Sequence, residues 1–318
     1  MTFNFDTLRI AVVVPCYNEA VAIGQVIQEA KDVLPEASIH IFDNNSTDDT
    51  SEVAKAHGAK VSLVALQGKG NVVRRMFADV DADVYIMTDG DATYDMTHIR
   101  EHIALLVREG HDMVVGSRQD ERTDAQTYRA GHRLGNRMLT NSVRVIFGGQ
   151  FSDMLSGYRI FSRRYVKSFP ANAHQFEIET ELTVHALELR MSYAEVRVAY
   201  KPRPEGSFSK LSTYRDGWRI LMTILKLFIS EKPMAFFTLV FALLAGTALA
   251  LSVPVFNTYL QTGLVPRFPT AILATGLMLS ALLSLVCGAI LHTVTIGRRE
   301  QKQFCYLSMP KMDPGLVS

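Results

Sequence analysis

The stretch TDGDATYD, residues 88–95, follows a short apolar run and carries three aspartates, Asp89, Asp91 and Asp95. Two carboxylates flanking a glycine can offer oxygen to a hard divalent ion while the backbone comes close to a ligand. The same residue types also serve turns and helix caps, a cap being worth about 1 kcal/mol. Three further polar clusters follow β-branched runs: PCYNEA (15–20), DNNSTDDT (43–50) and QGKG (67–70). Taken singly, Asn18, Asp43, Ser46, Asp48 and Asp95 read as turn and capping residues. Capping does not explain acidic residues arriving from several strand ends, where they repel one another without a cation. Mg2+ or Mn2+ offsets that repulsion, suits oxygen ligands, and bridges to substrate phosphates. Asp95, just before MTHIREHIALL, is expected to be the cap of a helix.

These clusters need a scaffold that brings them to one edge. Apolar runs at 9–14, 38–42, 60–66, 83–87 and 112–116 alternate with helical patterns near 19–34, 48–57, 71–80 and 95–109. Nearly continuous apolar strands separated by helices predict an α/β domain with a mostly parallel sheet covered on both faces. Ligands of such sheets sit beyond the carboxyl ends of the strands, where the four clusters fall.

The rest of the chain has a different solvent. No charged side chain occurs from Pro233 to Pro266, and after Arg267 none follows until Arg298. Runs at about 234–256 and 270–293 each exceed the roughly 20 residues a helix needs to cross a bilayer. Buried helices of a soluble protein are the competing reading. Arg215, Arg219, Lys226 and Lys232 precede the first run, and Arg298, Arg299 and Lys302 follow the second, which puts both termini in the cytoplasm. The N-terminal run IAVVV is too short for a secretory signal. Between 213 and 230, Trp218, Leu221, Leu225 and Phe228 recur at helical spacing among basic residues, an amphipathic helix for the membrane interface or for packing on the catalytic domain. The expected organisation is a catalytic domain over 1–211, a juxtamembrane helix over 212–232, two spans within 233–296 and a tail over 297–318. Net charge is +1, giving no case for nucleic acid as a partner. Three scattered cysteines argue against disulfides and zinc and for a reducing compartment.

VVVPCYNE, DNNSTDDT and DGD, in this order, resemble the family 2 glycosyltransferases of GT-A fold (nucleotide-diphospho-sugar transferase, Rossmann-like). The resemblance implies donor-binding residues Pro15, Tyr17, Asn18 and Glu19 from the first motif, Asp43 and Ser46 from the second, and Lys69 between the second and DGD. It further implies that Asp89, Gly90 and Asp91 form a DxD motif, with Asp89 and Asp91 as metal ligands and Asp91 on the diphosphate.

Arg129, Arg133 and Arg137 recur every four residues, one basic stripe if helical, and lack the acidic partners of an ordinary surface helix. With Arg118 they suit a phosphate that is a substrate. The order GSR, this stripe, SDMLSGYR and a basic loop before two apolar helices resembles polyprenyl-phosphate glycosyltransferases, the dolichyl-phosphate mannose and glucose synthases and their undecaprenyl counterparts. That resemblance implies an acceptor-phosphate set of Arg118, Arg129, Arg133, Asn136, Arg203, Ser209 and Lys210, the last three from RPEGSFSK, which reads as a closing loop or a plain linker. HRLGN departs from the mannosyl pattern. In FEIETEL, Glu179 is either a helix-start acid favoured by the dipole or a partner for sugar hydroxyls. His174 and His185 are expected to be structural.

The implied activity is inverting transfer of a hexose from a nucleotide sugar, UDP-glucose or UDP-N-acetylglucosamine, to polyprenyl phosphate, with catalysis on Asp89, Asp91 and Arg118. A GDP-mannose enzyme, a polysaccharide synthase, a nucleotidyltransferase and a non-catalytic nucleotide-sugar binder are the alternatives. A bacterial inner membrane is the expected location, and a homo-oligomer is left open. A synthase would be expected to add further spans and a QxxRW motif, and this chain lacks that motif.

Overall fold

A computed structural model describes residues 5, 7–119, 130–175, 177–206 and 213–312, with side chains 119 and 130–137 and 213–216 left undescribed. Residues Met1–Thr223 and Lys302–Ser318 form one compact unit and Ile224–Gln301 a second.

The first unit is built on β1 (Ile10–Cys16), β2 (Ser38–Asp43), β3 (Lys60–Leu63), β4 (Val84–Met87), β5 (Met113–Gln119), β6 (Arg159–Ser162) and β7 (Tyr193–Ala199). The strand order is β3-β2-β1-β4-β6-β5-β7. All pairings are parallel except those of β6, antiparallel to both β4 and β5. Ala11 to Val14 are fully buried, as expected of a central parallel strand covered on both faces. Order reverses between β1 and β4, a switch point that opens a crevice beyond the strand ends.

Helices cover the sheet. In α1 (Ile23–Val33), Ile23, Val26, Ile27 and Ala30 form the buried stripe. In α4 (Ile99–Glu109), Ile99, Ile103, Leu106 and Val107 do the same, and Gly110 ends it in the left-handed conformation at φ 67°. Next to these come α2 (Thr50–Ala56), α3 (Lys69–Asp79), α5 (Ala130–Phe147), α6 (Arg163–Ser168) and α7 (Ile178–Glu188).

Three expected elements differ at their ends for physical reasons. The helix expected from 19 starts at Ile23, because the Glu19 and Ala20 amides bond to the Thr50 and Asp48 side chains instead. The strand expected over 60–66 stops at Leu63, because the carbonyls of Val64 and Leu66 accept from Asn44. The helix expected from 95 starts at Ile99. Asp95 is not its N-cap; its Oδ1 accepts from the Thr97 amide and hydroxyl, and His98 precedes the first turn.

The end of the chain returns to this unit. Tyr306 Oη donates to Asp112 Oδ2 at 2.8 Å, the Arg164 guanidinium lies 4.7 Å from the Tyr306 ring centroid, and Lys302 pairs with buried Glu188 at 3.2 Å. Asp112 is fully buried and also accepts from Ser162 and Arg164. Residues 302–312 are therefore part of this unit's packing.

The second unit contains α9 (Pro233–Thr262) and most of α10 (Phe268–Leu307); α8 (Thr213–Glu231) ends in it. Both long helices qualify as membrane spans by length and composition, and only 11% and 22% of their most apolar stretches are buried. Core helices of a soluble protein would be mostly buried, which these stretches are not. They meet through small residues: Ala245, Ala248, Ala274 and Ala281 are buried, and a methyl on Gly288 would lie 2.8 Å from Phe237 Cβ.

Candidate functional site

The first two clusters are laced together at the ends of β1 and β2. Asn18, at φ 53°, donates its amide to Ser46 Oγ at 2.9 Å, and its Oδ1 accepts from the Thr47 amide at 2.7 Å. Asp43, 3% exposed, accepts from the Ser46 amide at 2.9 Å and from the Ser51 hydroxyl. Asn18, Asp43 and Ser46 thus shape the loop walls. Pro15 pairs with Phe42 one residue before the β1 ladder ends at Cys16 and Asp43, and Tyr17 beyond it is exposed.

Asn44, which the sequence did not single out, connects the third cluster. Its Nδ2 donates to the Val64 and Leu66 carbonyls at 3.0 and 2.8 Å, and its Oδ1 accepts from the Gly68 amide at 2.6 Å. Gly68 and Gly70 are crowded by the carbonyls of His174 and Ala173, where a Cβ would come within 2.1 and 2.2 Å. Glu181 holds that facing loop by accepting from the Asn172 and Ala173 amides at 3.0 and 2.7 Å. This close approach aims Lys69 inward.

Lys69 Nζ lies 2.6 Å from Asp89 Oδ1 and 2.7 Å from Glu179 Oε1. Burial opposes its charge, but the two carboxylates outweigh burial and hold the ammonium well above the usual lysine range. Glu179 is 4% exposed and sits in the first turn of α7. Its carboxylate answers Lys69, a role neither sequence reading contained.

Gly90 and Gly157 set the DxD loop. A methyl on Gly90 would lie 2.7 Å from Cys16 Sγ, and one on Gly157 would lie 2.4 Å from Asp89 Oδ2. Asp91, 4% exposed, accepts from Thr93 Oγ1 at 2.6 Å, and its Oδ2 meets Arg203 Nη2 at 2.6 Å. Arg203 Nη1 is 3.8 Å from Glu19 Oε1. Burial, then the charge of Asp89, pushes the Asp91 carboxyl up, against the pull of Arg203. Burial likewise raises the Cys16 thiol. The expected convergence of carboxylates is present, and lysine and arginine offset it.

On the other side, Arg118 makes a bidentate pair with Asp153, Nε to Oδ2 at 2.6 Å and Nη2 to Oδ1 at 2.8 Å. Its guanidinium also lies 5.7 Å from the Tyr200 ring centroid. Fully buried Arg159 donates to the carbonyls of Ser156, Met154 and Glu179 and to Thr183 Oγ1. It ties the loop carrying Asp153 and Gly157 to the helix carrying Glu179. Asp153, Gly157 and Arg159 all fall in SDMLSGYR, but no spacing rule marks which of them face the site. Arg129, Ser209 and Lys210 lie outside the described residues, as do the side chains of Arg133 and Asn136 in α5. His174 is a loop residue and His185 is buried against Tyr165 and Phe169.

Among the described residues no group of three or more His, Cys, Asp or Glu side chains is arranged to hold a metal by itself. The donor set nevertheless fits a magnesium-like ion, which takes one or two carboxylates and completes its shell with water and substrate phosphate. Asp91 offers the carboxylate, and Arg203 shows that a cation is accommodated there.

Comparison with known proteins agrees. Residues 11–169 match the family model described as Glycosyl transferase family 2. The chain belongs to this family. This family 2 protein is 34% identical over 252 residues to Glycosyltransferase AglJ of Haloferax volcanii, covering 79% of this chain and 81% of that one. An uncharacterized protein of Shigella flexneri is 57% identical over 155 residues, 49% of this chain and 95% of that one. A protein named Dolichyl-phosphate hexose transferase, also of Haloferax volcanii, is 27% identical over 230 residues, 72% of this chain and 97% of that one. The fold matches glucosyl-3-phosphoglycerate synthase from Mycobacterium tuberculosis, with TM-score 0.57 at 23% identity over 69% of this chain and 79% of that one. The sheet is of GT-A type, followed by two long apolar helices.

Proposed function

We propose that this family 2 protein transfers a hexose from a nucleotide sugar to a polyprenyl phosphate, with inversion at the anomeric carbon. The observation that carries the reading is the 2.6 Å contact of Asp91 with Arg203. A carboxylate suited to a metal–diphosphate and an arginine suited to a phosphate meet at one edge, in a chain with two candidate spans. The similarity to a protein named Dolichyl-phosphate hexose transferase supports the lipid acceptor. A solved relative of the same fold was crystallised with Mn2+ and UDP, which supports a divalent ion and a uridine donor. The preferred donors are UDP-glucose and UDP-N-acetylglucosamine. Both termini and the catalytic domain are assigned to the cytoplasm from the flanking charges.

A phosphate monoester with a second pKa near about 6 is largely dianionic at neutral pH, so its oxygen needs positioning more than a general base. That oxygen attacks the anomeric carbon, the bond from this carbon to the diphosphate oxygen breaks, and the nucleoside diphosphate departs. Mg2+ or Mn2+, when bound, supplies charge to the leaving diphosphate. Asp91 holds that charge in place, and Lys69 keeps Asp89 fixed beside it. Arg203, with Arg129, Arg133, Asn136, Ser209 and Lys210, receives the attacking phosphate, and Arg118 is oriented by Asp153.

Membranes containing the full chain are incubated with labelled UDP- or GDP-sugars and undecaprenyl or dolichyl phosphate. The expected product is organic-extractable and mild-acid-labile, and Asp91→Asn abolishes it. Long water-soluble polymer, or no lipid product with any donor, refutes the reading.

A further inference from the structure

We infer that Arg203 is a built-in counter-cation that occupies Asp91 until a divalent ion replaces it, so that metal binding and release of Arg203 are a single exchange. The inference rests on the assignment of Asp91 as the metal ligand. Both oxygens of Asp91 are committed: Oδ1 to Thr93 and Oδ2 to Arg203, each at 2.6 Å. A magnesium-sized ion bound to the same oxygen at about 2.1 Å would stand within about 5 Å of the guanidinium, where two cations repel strongly in a site this buried. A guanidinium cannot lose its proton to relieve the conflict, so it has to move.

Among the described residues two cations meet Asp89 and Asp91, and they differ in exposure. Lys69 is wedged between Asp89 and Glu179, with its side chain 10% exposed. Arg203 has a 28% exposed side chain and meets Asp91 at 2.6 Å and Glu19 at 3.8 Å. Lys69 is therefore the permanent partner and Arg203 the exchangeable one. The exchange also has a consequence for substrate order. Once moved off Asp91, Arg203 brings its charge next to a metal–diphosphate, which makes it a receptor for a second anion only after the first has arrived.

The test is Mn2+ binding by electron paramagnetic resonance to the full chain in detergent, without nucleotide. Arg203→Ala and Arg203→Gln are expected to tighten Mn2+ binding by about 5-fold or more, the lower end of typical coupling between sites. Lys201→Ala removes an equal charge two residues away, from Glu29 and Asp95, and is expected to shift binding by less than about 2-fold because those contacts are long, 3.6 and 3.5 Å, and partly exposed. By reciprocity, saturating Mn2+ should increase phenylglyoxal modification of Arg203 in the wild type, read by mass spectrometry, and Asp91→Asn should increase it without metal. Unchanged or weaker Mn2+ binding in both Arg203 variants, with Asp91→Asn losing the ion, overturns the exchange alone. Tightening by Lys201→Ala equal to that by Arg203→Ala overturns it too, since general charge would then suffice. Wild-type Mn2+ binding in Asp91→Asn overturns both the exchange and the metal assignment beneath it.

Discussion

Gly157→Ala would put a methyl group 2.4 Å from Asp89 Oδ2 and 2.7 Å from its Cγ. Ordinary contact begins at 3.4 Å, so the carboxylate must retreat by 3.4 − 2.4, or about 1 Å. Asp89 cannot retreat freely, because Lys69 holds its other oxygen at 2.6 Å. Gly157 has no positive φ, so alanine brings no backbone strain and the effect is confined to this contact. Overpacking of this kind costs about 1–3 kcal/mol of stability. A displacement of about 1 Å in a positioning group costs on the order of 100-fold in turnover. The assay is initial-rate transfer of labelled sugar to polyprenyl phosphate, with thermal unfolding measured on the same preparations. Gly246→Ala, where no atom lies within 4 Å, serves as the control with unchanged rate. A folded Gly157→Ala protein within about 3-fold of the wild-type rate would refute the claim that the DxD loop is packed against this glycine.

Lys69→Met leaves buried Glu179 facing Asp89 without a cation and should cost about 3–5 kcal/mol, with Glu179→Gln in the same chain restoring part of it; strictly additive losses in denaturation contradict the pairing. Tyr306→Phe keeps a ring for Arg164 but removes a hydrogen bond to buried Asp112, for a loss of about 1.5 kcal/mol in chemical unfolding. The Tyr306 hydroxyl, pushed up to about 12 by burial and by Asp112, stays protonated throughout, so the loss should not vary between pH 6 and about 9. His185 is pushed down to about 3, by burial first and then by Lys302. The unfolded chain therefore binds the extra proton below about pH 6.5, and stability falls as pH drops through that value, by about 2 kcal/mol between pH 7 and 5. His185→Gln should flatten that slope; an unchanged slope would assign it to other groups.

Periodicity and turn chemistry made much of the fold legible. Continuous apolar strands marked β1, β2, β4 and β5, and the i, i+3, i+4 stripes marked α1 and α4, because those signals are local. Strand β6 was not legible as an antiparallel insertion between β4 and β5, since Arg159-Ile-Phe-Ser is short and its partners lie 44 or more residues away. The ends of elements moved where side chains competed for backbone groups, as Asn44 does at β3 and Asp95 does ahead of α4.

The sequence by itself determined the family, through three ordered motifs at strand ends, and the two long apolar helices, through length and the absence of charge. These are properties of residues near one another along the chain. Only the tertiary structure decided which residues pair across it. Lys69 meets Glu179 from 110 positions away, Arg118 meets Asp153, Arg203 meets Asp91, and Tyr306 reaches Asp112. Any of several arginines or acids could have filled these roles by type alone. The choice is made by packing, because a buried charge is tolerated only where the fold delivers an opposite one within hydrogen-bonding distance.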